Sequence, residues 1–169
     1  MPGRSLRSAV RRTRSAARRT TTRARAAVRR IPRRRKGDEL PSEAVVSIEY
    51  SPQLDGDPDP GEIVWTWVPF QEDPTQGKDR PVVVIGRHGE HLAGIPLTTR
   101  PDDREAQYKL GTGGWDPKRR TSYARIWRLV DIPPDAMRRE GAVLDAERFD
   151  ALVRMVDRYY DVTRPDDAD

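Results

Sequence analysis

Residues 61–87, GEIVWTWVPFQEDPTQGKDRPVVVIGR, contain two segments with the composition of β-strands and a charged connection between them. Residues 63–68 are β-branched or aromatic, and residues 81–85 are an apolar run that begins with proline. The connection is rich in proline, glycine and charge, which is typical of a loop. Because Pro81 biases the preceding residue toward extended geometry, we expect Arg80 to be held extended at the end of this loop, where the sheet opens.

The first strand has two partly apolar faces. Alternation places Ile63, Trp65 and Trp67 on one face and Val64, Thr66 and Val68 on the other. This pattern fits a small barrel in which one face lines the interior and the other meets a second layer or a partner. Trp65 and Trp67 are candidates for stacking on unpaired bases, and packing in the core or at a dimer interface is the alternative.

Three motifs follow one another in an order known from one family: GEIV at 61–64, RPVVVI at 80–85 and IPLTT at 95–99. With these motifs, the chain from about residue 61 to about residue 159 resembles the PemK/MazF toxin family. The resemblance implies a mostly β fold, an SH3-like small β-barrel with a C-terminal helix, that forms a homodimer. It also implies the toxin of a type II toxin-antitoxin system, a metal-independent endoribonuclease that cleaves single-stranded RNA without a cofactor and is controlled by a cognate antitoxin.

The resemblance further implies the catalytic residues. Cleavage of RNA without a metal requires removal of the 2′-hydroxyl proton, cationic stabilisation of the phosphorane and protonation of the departing 5′-oxygen. Arg80 suits the second task, and Thr98 corresponds to a threonine that lies beside the loop arginine in the family. Asp79 and Glu62 are candidates for the base, although an extended backbone would send the side chains of Asp79 and Arg80 to opposite faces. Lys78, in the same loop, is a candidate for binding nucleic acid.

The loop before Arg80 departs from the family pattern. The usual loop has a Gly-Ser-Glu segment several residues ahead of Arg-Pro, whereas QGKD at 76–79 precedes Arg80 directly. This shorter loop bears on which RNA sequences are chosen.

Composition limits the classes of protein to consider. The 169 residues suit one domain with an extension, and the absence of cysteine excludes disulfides, thiolate metal sites and a cysteine nucleophile. The apolar runs are too short to cross a bilayer, so we expect a cytoplasmic protein without stable membrane insertion.

The net charge of +5 is the sum of two unlike parts. Residues 1–36 contain fourteen Arg, one Lys and no acid, a charge of +15, whereas the remainder has 17 basic residues (32 − 15) and 27 acids, a charge of −10. A basic arm of this kind is disordered alone and becomes helical on an anionic surface, for which RNA, DNA and membrane headgroups all qualify. The predominance of Arg over Lys favours nucleic acid. Its nucleic-acid-binding candidates are Arg11, Arg12, Arg18 and Arg19. An unselected tail, a start codon assigned too early and a transit peptide are the alternatives.

The segments after the arm are predicted in order. Residues 37–60 are a linker with an edge strand at 44–50, added to the outside of the barrel, and an acidic turn in which Pro58 and Pro60 disfavour a calcium loop. Residues 61–160 form the barrel with its helix, and 161–169 an acidic tail. HGEH at 88–91 is predicted as a hairpin tip. His88, Glu90 and His91 could hold a metal, but side chains crowded on one tight turn rarely converge and those of His-X-X-His on a hairpin splay apart, so we expect no metal there.

Further strands are predicted at 92–97, 108–111 and 121–132, the last with Arg125 and Arg128 on opposite faces. The glycine-rich turn at 111–116 contains Trp115, which either packs on the barrel or stacks on a base. A basic patch follows, formed by Lys118, Arg119 and Arg120, which is suited to an RNA backbone. The C-terminal helix is capped by Asp145 and has an apolar stripe formed by Leu144, Phe149, Leu152, Val153, Val156 and Tyr160.

Two other functions remain open from the sequence. The first is a DNA- or RNA-binding module on the same barrel scaffold that does not cleave. The second is a barrel that binds only protein. Retained nucleic-acid binding without cleavage would favour the first of these over the nuclease.

Overall fold

A computed structural model describes residues 39–164, so the basic arm at 1–36 and residues 165–169 lie outside the described residues. The described part contains nine strands, one 3₁₀ turn and one α-helix. In chain order they are β1 (Val45–Ile48), β2 (Glu62–Pro69), β3 (Gly77–His88), β4 (His91–Thr98), β5 (Gln107–Gly111), β6 (Ser122–Arg125), β7 (Val130–Ile132), the 3₁₀ turn (Pro134–Ala136), β8 (Arg139–Val143), α1 (Ala146–Val156) and β9 (Asp161–Thr163). The predicted mostly β fold with a C-terminal helix is confirmed.

The longest strand, β3, lies at the centre of the sheet. Its first half pairs with β2, its second half pairs with β1, and its other edge pairs with β4. β4 in turn pairs with β7 near its start and with β6 near its end, while β5, β8 and β9 extend the sheet from β6, β2 and β1. Bulges in the β2–β8, β3–β4 and β5–β6 pairings add twist, and the sheet therefore curls as in a small half-barrel.

Two hydrophobic cores lie on the two sides of β3. Val83 and Ile85 belong to the larger core, which also contains the helix, and Val82 and Val84 belong to a smaller one shared with β2 and β7. Successive strand residues point to opposite faces, so one apolar run supplies both cores. Each of these side chains is fully buried, which contributes roughly 1.5–3 kcal/mol per side chain. This burial explains the two apolar faces predicted for the neighbouring β2.

The helix agrees with its sequence signals. The carboxylate of Asp145 accepts a hydrogen bond from the amide of Arg148, as expected of an N-cap. The predicted apolar stripe is buried in the larger core: Leu144, Phe149, Leu152, Val153, Val156 and Tyr160. Within residues 39–164, no helix is long and apolar enough to cross a membrane.

The charged segment before Pro81 is a strand and not a loop. Lys78, Asp79 and Arg80 lie in β3, where Asp79 pairs with Trp67 and Arg80 with Thr66. The chain reverses earlier, where the amide of Phe70 donates to the carbonyl of Gln76 at 2.8 Å. The prediction was wrong because local propensity disfavours Gly, Lys and Asp in strands, whereas pairing with the aromatic and β-branched β2 outweighs that preference.

The predicted edge strand and acidic tail also need correction. β1 lies inside the sheet, because β9 pairs with it in parallel and places Val46 opposite Val162. Asp161–Thr163 is therefore part of the sheet, although it was assigned to the tail. The linker also contributes to the body, since Leu40 is buried and its amide donates to the carbonyl of Leu129 at 2.8 Å.

The long strand predicted at 121–132 is two strands that pair with different ends of β4. A turn separates them, closed by the amide of Arg128 and the carbonyl of Arg125 at 3.0 Å. Arg128 therefore does not share a strand with Arg125. β8 was not predicted, because its sequence, REGAV, lacks the alternation that marks a half-buried strand.

Candidate active site

Strand pairing brings Arg80 and Thr98 to one cleft. β3 and β4 pair antiparallel with Val82 opposite Pro96, and the same register continued by two residues places Arg80 opposite Thr98. Both residues line two adjoining hollows of about 270 Å³ and about 350 Å³. The larger hollow is lined by Arg80, Thr98, Arg100, Pro101, Asp102, Arg104, Glu105, Gln107 and Arg125. The two residues that the resemblance paired are thus brought together.

The guanidinium of Arg80 is half-buried and has no hydrogen bond or ion pair with any residue in the range 39–164. Burial lowers the pKa of Arg80, and the neighbouring Arg125, Arg128 and Arg100 lower it further, while Glu105 opposes them. Arginine nevertheless remains charged in proteins. A buried cation without a counterion is costly, so this position favours an anionic ligand.

Two further cations accompany Arg80 in the cleft. Lys78 and Arg100 are exposed, and their side chains form no ion pair within the described part of the chain. Arg80 is the main cause of the lowered pKa of Lys78, followed by burial and Arg100. The mutual repulsion of Lys78, Arg80 and Arg100 would be relieved by a bound phosphate.

Other cations near the cleft are already neutralised by carboxylates. Arg125 binds Glu105 through two hydrogen bonds of 2.9 and 2.5 Å. Arg104 binds Asp102 in the same bidentate manner, at 2.9 and 2.8 Å. Arg128 is 2% exposed and donates to Glu39 and to the carbonyl of Pro69. The cleft is positive because Lys78, Arg80 and Arg100 are not neutralised in this way.

The hydroxyl of Thr98 is oriented by the backbone. Its oxygen accepts a hydrogen bond from the amide of Arg100 at 3.2 Å. A hydroxyl has one proton to donate besides its two acceptor lone pairs. Thr98 can therefore donate its proton to a phosphoryl oxygen held by Arg80.

The two predicted bases differ in position: Asp79 lines the smaller hollow together with Arg80 and Thr98, whereas Glu62 lines neither hollow. Asp79 pairs with Arg138 at 3.1 Å and, as expected, lies on the opposite face of β3 from Arg80. Glu62 is buried and accepts hydrogen bonds from the amides of Gln53 and Asp59. Both carboxylates are therefore already engaged by donors of the protein.

The three predicted aromatic candidates occupy different environments. Trp115 is 1% exposed, and its indole nitrogen donates to the hydroxyl of Ser122 at 3.0 Å, so it packs in the core and stacking on a base is wrong. Trp67 is half-buried over Gly77 and lines neither hollow. Trp65 lines the smaller hollow, so it is the aromatic ring within reach of a ligand there.

The predicted basic patch divides into two parts. Arg120 lines the smaller hollow, and its guanidinium donates to Asp116 at 2.8 Å. Lys118 and Arg119 are exposed and line neither hollow. The arm candidates Arg11, Arg12, Arg18 and Arg19 lie outside the described residues, so their role remains a prediction.

Sequence reasoning missed Arg100, Glu105 and Arg125 as cleft residues. Arg100 follows Thr98 by two positions, and this proximity was the only local signal. Glu105 and Arg125 lie twenty residues apart, and only the pairing of β5 with β6 brings them together.

The fold and the cleft together define a class: a small curled β-sheet protein with a cationic cleft beside the paired ends of two central strands. The family model described as "PemK-like, MazF-like toxin of type II toxin-antitoxin system" matches residues 59–159, more than half of the chain. The protein belongs to this family of toxins.

Comparisons with individual proteins are more distant. A Mycobacterium tuberculosis structure, toxin MazF-mt6, is 18% identical, with 60% of this chain and 98% of that chain covered and a TM-score of 0.42. The Deinococcus radiodurans MazE-MazF crystal structure is 15% identical, with 62% and 95% covered and a TM-score of 0.46. No curated protein matches the sequence.

Proposed function

We propose that this toxin is an endoribonuclease that cleaves single-stranded RNA without a metal ion. The supporting observation is the unpaired, half-buried guanidinium of Arg80 beside the hydroxyl of Thr98. Such a pair suits a phosphodiester that gains charge as it is attacked, because fixed donors stabilise the phosphorane more than the ground state.

The reaction is a transesterification within the RNA. The 2′-hydroxyl loses its proton, its oxygen bonds to phosphorus, the bond from phosphorus to the 5′-oxygen breaks, and the departing oxygen takes a proton. The products are a cyclic phosphate and a 5′-hydroxyl. The guanidinium of Arg80 donates two parallel hydrogen bonds to two phosphoryl oxygens, and Thr98 orients the phosphate. The lowered pKa of Arg80 strengthens it as a hydrogen-bond donor to the departing oxygen.

The same site favours partners that are anionic. Single-stranded RNA is the proposed substrate, and DNA is a second candidate ligand because phosphate contacts do not distinguish the two. We also propose a homodimer and a cognate antitoxin, in keeping with the family. The family model, which describes a toxin of type II toxin-antitoxin systems, supports a partner of this kind.

Full-length protein incubated with labelled single-stranded RNA in excess chelator tests the nuclease. We expect Arg80→Ala to lower the cleavage rate by roughly 10²–10³-fold, because it removes the main charge that faces the phosphorane. Thr98→Val should lower it by about 10–100-fold, the effect of one hydrogen bond to a charged group. Arg87→Ala is the matched control, since Arg87 lies on the same strand and pairs with Glu49 outside the cleft. Cleavage that survives Arg80→Ala would contradict the proposal.

A second function is favoured by one observation: both predicted bases are already engaged, Asp79 by the ion pair with Arg138 and Glu62 by the amides of Gln53 and Asp59. A module that binds RNA or DNA without cleaving it would need only the cations. Intact RNA at saturating protein, together with binding lost in Arg80→Ala, would identify this function and would rule out the nuclease.

A further inference from the structure

Strand pairing continues the line of Arg80 and Thr98 across two further strands. Thr98 of β4 pairs with Tyr123 of β6, and Tyr123 pairs with Lys109 of β5. Residues directly opposite each other on an antiparallel ladder lie on the same face of the sheet. These pairings therefore form one polar row across β3, β4, β6 and β5, which ends at an edge of the sheet. Its members are Arg80, Thr98, Tyr123 and Lys109.

The polar row lies on the face of the sheet that is turned away from the larger core. Leu97, Ala124 and Leu110, each next in sequence to a member of the row, are buried in that core. Because successive strand residues alternate between faces, the members of the row point the other way. Lys109 is accordingly exposed, and Tyr123 is partly exposed.

The side chains of Tyr123 and Lys109 are not engaged by the body of the protein. Within residues 39–164, the phenol oxygen of Tyr123 forms no hydrogen bond and the ammonium of Lys109 forms no ion pair. Neither residue lines the two hollows, so the polar row continues beyond the cleft. An aromatic ring next to an unpaired cation suits a single-stranded nucleic acid, because bases stack on aromatic side chains and phosphates bind cations.

The spacing of the polar row suits a nucleotide strand that crosses the sheet. Paired positions such as Thr98 and Tyr123 have Cβ atoms about 4.5–5.5 Å apart, so the ring of Tyr123 can reach a base next to a phosphate held at Thr98. Neighbouring strands lie about 4.8 Å apart, which places the backbone of Lys109 about 14 Å from that of Arg80. The row is therefore longer than the site of one phosphate.

We propose that single-stranded RNA crosses the sheet along the polar row, with one base stacked on Tyr123 and a second phosphate bound by Lys109. This inference rests on the proposed function, in which Arg80 and Thr98 hold the phosphate that is cleaved. Stacking on an aromatic ring tolerates every base, because each base has a π-face. Tyr123 thus adds affinity and positions the strand without selecting a base.

Fluorescence anisotropy of the full-length protein with a 2′-O-methyl RNA, which cannot be cleaved, tests the role of Tyr123. Tyr123→Leu keeps an apolar side chain and removes the ring, so affinity should fall roughly 5–150-fold, the effect of one stacked base. Tyr123→Phe should bind within about twofold of the parent, because the ring and not the hydroxyl stacks.

The same assay at several salt concentrations tests Lys109. Lys109→Gln removes one phosphate contact, so the slope of log affinity against log salt should become shallower by about 0.7. This measurement decides if Tyr123→Leu does not fold.

Tyr159→Leu and Arg154→Gln are the matched controls. Tyr159 is 44% exposed and directly precedes the segment that leads to β9, at the opposite end of the strand order. Arg154 is exposed on α1, which packs in the larger core on the other face of the sheet. We expect both variants to bind RNA as the parent does.

Arg80→Ala in the same assay separates this inference from the proposed function. Binding that falls in Arg80→Ala but is unchanged in Tyr123→Leu and Lys109→Gln would overturn the polar row alone. A Tyr123→Phe variant as weak as Tyr123→Leu would overturn stacking. Binding that depends on Tyr123, with cleavable RNA left intact by the parent, would refute the nuclease and support the polar row.

Discussion

Individual residues of the cleft divide into cations that are free and cations that are held by carboxylates. Arg125 is 15% exposed and fully engaged by Glu105, which itself is fixed by the side-chain amide of Gln107 at 3.2 Å. The hydrogen bonds from Arg125 are the main cause of the lowered pKa of Glu105, so this carboxylate stays charged. Glu105 thus occupies a guanidinium that a phosphate could otherwise bind.

We therefore predict that Glu105→Gln strengthens binding of single-stranded nucleic acid. The change removes a negative charge from the cleft and frees Arg125, so the affinity for single-stranded nucleic acid should rise several-fold. Because Arg125 would then contact one more phosphate, the slope of log affinity against log salt should steepen by about 0.7. Fluorescence anisotropy with a non-cleavable 2′-O-methyl RNA at several salt concentrations measures both quantities.

Two variants control for charge and for mechanism. Glu90→Gln makes the same change of net charge far from the cleft and should leave the slope unaltered. Adding Arg125→Gln to Glu105→Gln should abolish the gain. A Glu105→Gln variant with unchanged or weaker binding would show that Glu105 does not compete with phosphate.

The sequence identified Arg80 and Thr98 only through a family resemblance. Taken alone, an arginine before a proline and a threonine at a strand end are both ordinary. Their juxtaposition depends on the register of β3 and β4, which is a long-range property of the sheet. Sequence also counts every cation equally, whereas the structure of residues 39–164 distinguishes Arg80, which forms no ion pair there, from Arg125, which is neutralised by Glu105.

Among the elements, two are each organised by one carboxylate: Asp145 caps the helix, and Asp116 orders the loop at 113–120. Asp116 is buried and accepts hydrogen bonds from the amides of Lys118 and Arg120 and from the Arg120 side chain, at 3.1, 3.2 and 2.8 Å. The hydrogen bond from the Arg120 side chain is the main cause of its lowered pKa. This loop forms one wall of the smaller hollow, so its order affects the cleft.

Asp116→Asn should destabilise the protein by about 1–3 kcal/mol at pH 7, because charge-assisted hydrogen bonds are lost. A depressed pKa in the folded state means that this contribution is present above the unfolded pKa of about 4 and is lost as pH falls through the folded value. The difference in free energy of unfolding between parent and variant should therefore become smaller below about pH 4.

Urea unfolding at pH 7 and at pH 3 measures that difference. Asp103→Asn is the control, because Asp103 is exposed on another loop and should leave stability unchanged. If the difference in free energy of unfolding between parent and variant stays constant with pH, the charge of Asp116 contributes nothing to stability.

Elements with local signals were predicted, and elements defined by distant partners were not. The cap at Asp145 and the stripe of α1 are encoded within a dozen residues, so the helix was found. β8 and β9 are short and polar at their ends, and they become strands only because β2 and β1 offer unpaired edges. The break at Arg125–Arg128 arises because 122–125 and 130–132 pair with different ends of β4.

The whole molecule combines a basic arm with an acidic remainder. Residues 1–36 have a charge of +15 and residues 37–169 a charge of −10. Because exposed charges are screened beyond about 8–10 Å at physiological salt, non-specific attraction to nucleic acid depends on the local charge of each part and not on the net charge of the chain. We therefore expect the arm to dominate non-specific attraction to nucleic acid, and the cleft to act on the nucleic acid that the arm has bound.

In the full chain, replacing Arg11, Arg12, Arg18 and Arg19 with Gln should weaken binding of long single-stranded RNA. The slope of log affinity against log salt should become shallower by about 3, because four arginine–phosphate contacts are lost at roughly 0.7 each. Cleavage of a short RNA that fills only the cleft should be unchanged. Anisotropy across a salt series measures the slope.

The control variant replaces four arginines of the body with Gln: the exposed Arg87, Arg154 and Arg158 and the partly buried Arg164. Its net charge equals that of the arm variant, so equal losses in the two variants would contradict a specific role for the arm. An arm variant with the slope of the parent would do so as well.

The parallel pairing of β1 with β9 has a consequence for synthesis on the ribosome. Val46 finds its partner only at Val162, so the sheet cannot close until almost the entire body has been translated. Contacts between residues so far apart in the sequence form slowly, and the edge of β1 that pairs with β9 remains unpaired until they form. A nascent chain that lacks residues 161–163 therefore lacks this pairing, and the toxin completes its sheet only after β9 has been translated.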